Sequence, residues 1–104
     1  MKNYKKKKSK IHGNGIFSKT EINKDEIIDE VINFYIFFPY ISTELGRNIN
    51  HCEKNYNTKL VYCENKNIYQ LKAKCKIKKN EELLMNYWDT PFYIEKPSRD
   101  FKVC

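Results

Sequence analysis

Two short stretches of this sequence, Ile22–Ile28 (INKDEII) and Ile77–Leu83 (IKKNEEL), share one pattern and lie 55 residues apart. Each stretch has an apolar residue, a lysine, an Asp or Asn, and a glutamate ahead of an apolar run. Asp25 and Asn80 suit turn positions with positive φ, which Asp and Asn adopt more readily than other non-glycine residues. The pattern predicts two equivalent turns that each start a β-strand, although two unrelated turns would read the same way.

The neighbouring segments read as short strands. Thr58–Cys63 and Ile68–Ala73 flank Asn65-Lys66-Asn67, a hairpin pattern in which asparagine is available for a left-handed turn position. Val31–Ile41 is dense in Phe, Tyr and Ile and predicts a strand or a buried turn, and Glu82–Trp88 predicts a further short strand. No stretch shows a long 3.6-residue period, so we expect a mostly β fold.

Length and composition bound the class of protein. The chain has 104 residues, 40% of them hydrophobic and 14% aromatic, which fits one small folded domain and excludes an intrinsically disordered chain. Its longest apolar stretch is interrupted by Asn33 and Pro39, so no membrane span is expected. No apolar segment follows the initial lysines, so we expect no secretory signal, an intracellular location and reduced thiols.

The net charge of +7 has two explanations. A run of lysines near the start is a candidate phosphate-binding arm, although charge runs are more often simply solvated; it comprises Lys5, Lys6, Lys7 and Lys8. The chain is also rich in Lys, Asn and Ile, a bias that AT-rich coding produces. The four cysteines form no CxxC pair and only two histidines are present, so no metal site is predicted.

Three short segments are candidates for chemistry. Gly13 and Gly15 precede an apolar run, and glycine lets a backbone approach a ligand closely, although a plain β-turn would also explain them. Asn50 and His51 offer several hydrogen-bond donors and acceptors side by side, as a purely structural pair would. The third segment, Glu81–Asp89, contains Tyr87, although a tyrosine at a strand end usually belongs to the core or to a sheet edge.

Together and in this order, the GNGIF, INH and EELLMNY motifs resemble those of the SET-domain protein lysine methyltransferases. The resemblance covers about residues 5–97, and both ends look most like the minimal SET histone methyltransferases of large DNA viruses. It implies a β-clip fold of small sheets with a pseudoknot-like crossing and short helical turns. Residues 1–104 would form a single SET domain, with 1–8 as a basic arm or first strand and 88–104 as a short post-SET-like tail without zinc.

The resemblance also implies a site. The cofactor would be S-adenosylmethionine, and Tyr87 would be the catalytic tyrosine. The expected cofactor-binding residues are His12, Gly13, Asn14, Gly15, Asn50, His51, Trp88, Phe92 and Tyr93. No metal ligand is expected, because the chain lacks the cysteines that bind zinc after the SET core of typical members.

The implied activity is transfer of methyl groups to a protein lysine, with a histone tail lysine as the favoured substrate and a chromatin-associated, nuclear location. Nucleosomal DNA is an expected contact of the lysine run. Two alternatives stay open. The segment between Glu30 and Arg47 is very short where the family carries an insert, so the domain could be a degenerate one that binds cofactor or chromatin without methylating. A small basic nucleic-acid-binding β protein would match the motifs only by chance.

Self-association is the last expectation. The aromatic residues of segment 34–41 provide more apolar surface than a thin core covers; they are Phe34, Tyr35, Phe37, Phe38 and Tyr40. Side chains alternate between the faces of a strand, so part of this run should point outward, and exposed apolar patches commonly mark interfaces. A homodimer through segment 34–41 is therefore predicted. The alternative is that Pro39 turns the chain and the whole run is the core of a monomer.

Overall fold

The computed structural model describes residues 3–11, 13–35, 38–41, 43–52 and 54–86. These ranges form short strands and one short helix, which confirms the predicted mostly β fold. The strands are β1 (Tyr4–Lys8), β2 (Asn14–Ser18), β3 (Ile27–Tyr35), β4 (Phe38–Ile41), β5 (Asn50–His51), β6 (Thr58–Cys63), β7 (Ile68–Ala73) and β8 (Glu82–Met85). The helix, α1 (Glu44–Asn48), lies between β4 and β5 in the chain.

The strands form two four-stranded sheets. One has the order β1-β2-β8-β5 and the other the order β4-β3-β7-β6. Within the first sheet β5 runs parallel to β8, with Asn50 opposite Leu84 and His51 opposite Met85. The Asn-His segment therefore lies beside the last described strand, which is more than 30 residues away in the chain.

The two predicted turns are equivalent in the structure. Asp25 and Asn80 have φ values of 70° and 67°, as the sequence pattern predicted. The turns also meet, because Ile22 and Ile77 donate backbone hydrogen bonds to each other, both of 2.8 Å. Both isoleucines are fully buried. The sequence repeat is thus a pair of matching turns in contact at the centre of the domain.

The equivalence extends to the hairpins. The β1–β2 hairpin pairs Tyr4 with Ser18, and the β6–β7 hairpin pairs Thr58 with Ala73. In the first turn the Asp25 N–H donates a hydrogen bond to Ala73 O, and in the second turn the Asn80 N–H donates one to Ser18 O. Both donor–acceptor distances are 2.9 Å. Each half is a hairpin, a turn and a strand, and the strand crosses to the other half's hairpin: β3 pairs with β7, and β8 pairs with β2.

Helix α1 packs against the strands of the first half, β1, β2 and β3. Its N-cap, Thr43, accepts a hydrogen bond from the Gly46 N–H at 3.1 Å and donates one to Glu30 O at 2.7 Å. This cap satisfies one of the donors that a helix start leaves unpaired and ties the helix to β3. Leu45 anchors the helix in the core with no exposed surface.

The aromatic segment forms the β3–β4 hairpin, in which Phe34 lies opposite Pro39. Phe38 is 71% exposed and Tyr40 is 49% exposed. The alternative, that the whole run is core, is therefore wrong, since strand β4 lies at a sheet edge and its side chains reach solvent. The homodimer stays a prediction.

Three further observations concern the sequence-based expectations. Cys63 and Cys75 are free, but Cys52 is disulfide-bonded, so the expectation of reduced thiols is wrong for this buried residue. Between residues 3 and 86, no described helix has the length and apolarity to cross a membrane. Residues 4–8 form a strand, the second of the two structures expected for the start of the chain.

Candidate functional site

The glycine segment, Gly13-Asn14-Gly15, leads into β2. Gly13 has a φ of 44°, and a Cβ built on it would meet no atom within 4 Å. Its carbonyl accepts a 2.8 Å hydrogen bond from the Ser9 N–H, which closes the turn between β1 and β2. Glycine is favoured here by the left-handed backbone conformation. The open space beside its α-carbon leaves the segment accessible to a ligand.

Gly15 requires glycine for a different reason. Its backbone is buried, and an added Cβ would lie 2.3 Å from Glu82 Oε2 and 3.0 Å from Ser9 Cβ. The close approach that the sequence suggested is therefore made by a carboxylate of the chain itself. The predicted contact of Gly15 with a cofactor remains a prediction.

Asn50 lies beside this carboxylate. Asn50 lies on β5 and is only 3% exposed. The Nδ2 atom donates to Glu82 Oε2 at 2.9 Å and to Asn14 O at 3.3 Å. Two of the three predicted segments, the glycine segment and the Asn-His pair, are thus joined through Glu82.

The Asn-His pair also fixes the end of β8. His51 is 6% exposed and lies opposite Met85 in the parallel pair β5–β8. The next residue, Cys52, donates its N–H to Met85 O at 3.0 Å. Met85 is itself buried and lies two residues before Tyr87 in the sequence. Strand β5 therefore fixes the chain at Met85, two residues before Tyr87.

Asn57 and Thr58 are two buried polar residues that the sequence analysis did not single out. The Asn57 side chain accepts from the Leu84 N–H at 2.8 Å and donates to Glu82 O at 2.9 Å. Thr58 Oγ1 donates to Leu84 O at 2.8 Å. The two side chains thus pair with backbone groups of β8 that would pair with a neighbouring strand in a regular sheet. The adjacent polar pair at the start of a predicted strand was the available signal.

Several predicted site residues lie outside the described residues. They are His12, Tyr87, Trp88, Phe92 and Tyr93. The described part of the site consists of the glycine segment, Asn50, His51 and β8. In the part of the chain that the structure describes, no group of three or more His, Cys, Asp or Glu is arranged to bind a metal ion. The expectation of no metal stays a prediction.

The lysines of β1 are all exposed. Three of them also contact the rest of the domain. Lys6 Nζ lies 3.5 Å from Glu44 Oε1, and Lys7 Nζ lies 4.5 Å from the centre of the Phe17 ring. Lys5 Nζ lies 3.4 Å from Asn80 Oδ1 in the second turn. Because β1 is an edge strand, these charges also discourage pairing with a foreign strand.

Tyr4 is the described group with a clear electrostatic perturbation. Burial raises the pKa of Tyr4 well above its usual range, and the carboxylate of Asp29, to which its hydroxyl donates, raises this pKa further. A phenolate at this position would be both desolvated and next to a negative charge. Tyr4 is therefore held as a neutral hydrogen-bond donor between β1 and β3.

A family model described as the SET domain matches residues 33–88, which is more than half of the chain. The chain belongs to the SET-domain family. The match begins in β3 of the SET domain, includes Asn50, His51 and Tyr87, and leaves the glycine segment outside. No curated protein matches the chain by sequence.

Solved structures share this fold. A Plasmodium falciparum protein described as a candidate histone methyltransferase is 22% identical, with a TM-score of 0.64 over 84% of this chain and 94% of that chain. The apo form of ctPRC2 carrying substitutions in Ezh2 gives a TM-score of 0.64 at 20% identity, covering 88% of this chain and 16% of that chain. An active polycomb repressive complex 2 in the stimulated state gives 0.61 at 20% identity, over 83% and 15%. The SET domain thus spans about a sixth of the polycomb chains.

Proposed function

We propose that this SET domain transfers methyl groups from S-adenosylmethionine to a lysine of a protein, with a histone tail lysine as the favoured substrate. The observation that carries the proposal is the meeting of three motifs that are far apart in the sequence. Strand β8, which precedes Tyr87, lies between β2, which follows Gly13, and β5, which carries Asn50. Family membership and the histone methyltransferase names among the structural neighbours support the same reaction.

The described residues suit the cofactor. Gly13 offers backbone polar groups beside open space, and Asn50 offers a buried side-chain amide. When bound, S-adenosylmethionine would supply a methyl group on a positively charged sulfur. A neutral lysine amine would attack the methyl carbon in line as its bond to sulfur breaks, so that S-adenosylhomocysteine leaves and the methylated amine can lose a proton to solvent. In the proposal, residues 12–15, Asn50 and His51 bind the cofactor, and Trp88, Phe92 and Tyr93 cover it.

The chain must also deliver the lysine as a neutral amine. The reference pKa of lysine is about 10.4, so most of it is charged near neutral pH. A narrow apolar channel disfavours the ammonium form and lowers this pKa, and buried Met85 would be part of its wall. The hydroxyl of Tyr87 would orient the amine lone pair toward the methyl carbon. Holding two reactants in line can lower the barrier by up to roughly 7–11 kcal/mol.

A catalytically degenerate SET domain is the second candidate. The described residues between Glu30 and Arg47 form the end of β3, β4 and most of α1, so this region holds only short elements where the family carries an insert. A protein with this architecture could bind cofactor or chromatin without transferring a methyl group. Binding and transfer must therefore be measured separately.

Chromatin is the proposed setting of either function. A histone or another lysine-containing protein would be the substrate, and nucleosomal DNA the contact of Lys5, Lys6, Lys7 and Lys8. The resemblance to viral SET proteins and a host nuclear location belong to this proposal and are supported only by the sequence motifs.

The proposal is tested with purified protein, labelled S-adenosylmethionine, core histones and nucleosomes. We expect cofactor binding by calorimetry and label on a histone lysine, identified by mass spectrometry. Binding without label on any substrate would favour the degenerate domain. Absence of cofactor binding would contradict the methyltransferase, and retention on nucleosomal DNA would then favour a degenerate SET domain that binds chromatin. The alternative of a nucleic-acid-binding protein that matches the motifs by chance is wrong, because the chain belongs to the SET-domain family.

A further inference from the structure

The carboxylate of Glu82 joins three segments of the domain. The Ser9 hydroxyl lies 2.9 Å from both of its oxygens and donates to it, and Asn50 Nδ2 donates to its Oε2 at 2.9 Å. The same Oε2 occupies the space where a side chain on Gly15 would begin. One carboxylate thus contacts Ser9 in the connection between β1 and β2, strand β2 and strand β5.

These contacts fix which way the Asn50 amide faces. A carboxylate and a peptide carbonyl can only accept hydrogen bonds, and Asn50 Nδ2 donates to one of each, Glu82 Oε2 and Asn14 O. The opposite orientation would place the amide oxygen against two other acceptors. The Glu82 carboxylate therefore directs the Asn50 side-chain oxygen away from itself.

The internal repeat shows that the fold does not require this arrangement. With the offset of 55 residues, Glu82 corresponds to Ile27 and Gly15 corresponds to Gln70. The strand pairs match as well, since Glu82 lies opposite Phe17 and Ile27 lies opposite Lys72. At this pair the second half makes the corresponding hairpin–strand contact with neither the carboxylate nor the glycine, and the β3–β7 register then shifts between Ile27 and Asp29. The two features occur together only in the half that carries the candidate site.

We propose that Glu82 is a positioning residue for the cofactor site: it sets the orientation of the Asn50 amide, and Gly15 is glycine in order to admit its carboxylate. This inference rests on the proposed function, because the oriented amide serves to bind the cofactor. Glu82 acts through Asn50 and is not assigned a contact with the substrate or a part in the chemistry.

The first test replaces Glu82→Gln. Glutamine keeps the size of the side chain but removes its charge and replaces one acceptor oxygen with an amide donor, so the hydrogen bond from Asn50 Nδ2 is weakened or lost. We expect S-adenosylmethionine to bind roughly tenfold more weakly, since one charge-assisted hydrogen bond is weakened or lost. Glu81→Gln is the matched control, because the adjacent Glu81 carboxylate also accepts from an asparagine amide, Asn57 Nδ2 at 3.1 Å, but does so away from the glycine segment.

The second test is a double-mutant cycle. Gly15→Ala places a methyl group where Oε2 lies, and the end of a glutamate side chain can move aside, so the carboxylate should leave Asn50 while the domain stays folded. We expect Gly15→Ala alone to weaken cofactor binding about as much as Glu82→Gln. In a Glu82→Ala background Gly15→Ala should add little, because the displaced group is gone. With Glu81→Ala, the effects should add.

The third readout needs no cofactor. The side-chain amide resonances of Asn50 in ligand-free protein should shift in Glu82→Gln and Gly15→Ala and stay in place in Glu81→Gln. An unchanged Asn50 amide in Glu82→Gln would overturn the inference, as would wild-type cofactor affinity despite a shifted amide. If the wild type binds no cofactor, the proposed function fails and the cofactor role of Glu82 fails with it. The amide resonances would then still report whether Glu82 orients Asn50.

Discussion

At the scale of single residues, the two glycines of one short motif have different physical reasons. Gly13 adopts a left-handed conformation with open space beside it, whereas Gly15 makes room for a carboxylate from another strand. The sequence alone suggested a single reason, close approach of a ligand. Among the described contacts, only Gly13 has open space that a ligand could approach. Substitution of Gly13 should therefore act on that space, and substitution of Gly15 should act on the Glu82 carboxylate.

Asn50→Ala and Gly13→Val should both weaken binding of S-adenosylmethionine. Loss of the Asn50 amide leaves polar partners unsatisfied at a cost of about 1–3 kcal/mol, and valine at residue 13 combines a strained positive φ with a side chain in the open space. Calorimetry on the folded variants checks this. Wild-type affinity in both would remove this end of the domain from the cofactor site.

The neutral state of Tyr4 predicts a pH dependence of stability. Folding raises the pKa of Tyr4 above its reference of 10.0, so its contribution to stability is fully present below pH 10 and is lost as the pH rises above that value. Unfolding of the wild type and Tyr4→Phe should be compared from pH 8 to about 11. The difference in unfolding free energy between them should shrink at the alkaline end, and a constant difference would contradict this reading.

At the scale of elements, local patterns were informative wherever the contacts are local. The bounds of β6 and β7 follow the predicted runs, and Asn67 between them has a φ of 52°, as its turn position suggested. The turns at Asp25 and Asn80 were readable because Asp and Asn report positive φ directly. The polar pair Asn57-Thr58 was visible in the sequence, but the partners of Asn57 were not, because they lie on β8, 25 to 27 residues further along the chain.

Asn57→Ala should loosen strand β8. The substitution leaves the Leu84 N–H and Glu82 O without their side-chain partners, at about 1–3 kcal/mol for each buried group left unpaired. Hydrogen exchange should increase at the Leu84 amide well before the rest of the sheet opens. Asn55→Ala is a control, since the contact of Asn55 with Cys52 uses its backbone N–H, which the substitution keeps. Equal exchange in both variants would show that Asn57 does not hold β8.

At the scale of the whole molecule, the domain consists of two hairpin–turn–strand units that exchange their strands. The units meet at Ile22 and Ile77, and the segment between them contributes β4, α1 and β5. The repeat was visible in the sequence, but the exchange was not, because either strand could have paired with its own hairpin. The exchange matters for the site, since it brings β8 of the second unit beside β2 of the first.

The exposed edge of the second sheet predicts a homodimer. Phe38 and Tyr40 are largely exposed on edge strand β4, and a second copy would cover them. Sedimentation equilibrium at micromolar concentration should give twice the 12.6 kDa chain mass. Phe38→Glu should give the monomer with an unchanged melting profile for the domain itself, because Phe38 is 71% exposed within the chain. A single 12.6 kDa species for the wild type would reject the dimer.

The central claim, that the chain is a lysine methyltransferase whose site lies where β2, β5 and β8 meet, is tested most directly by Tyr87→Phe. This change removes one hydroxyl from the residue proposed to orient the lysine amine and alters nothing proposed to bind the cofactor. Methyl transfer to histones and calorimetric affinity for S-adenosylmethionine are measured on the wild type and the variant together. We predict that transfer falls by at least roughly a hundredfold while affinity stays within about twofold, since orientation of the reactants accounts for a large part of the barrier. Unchanged transfer in the variant would contradict the account.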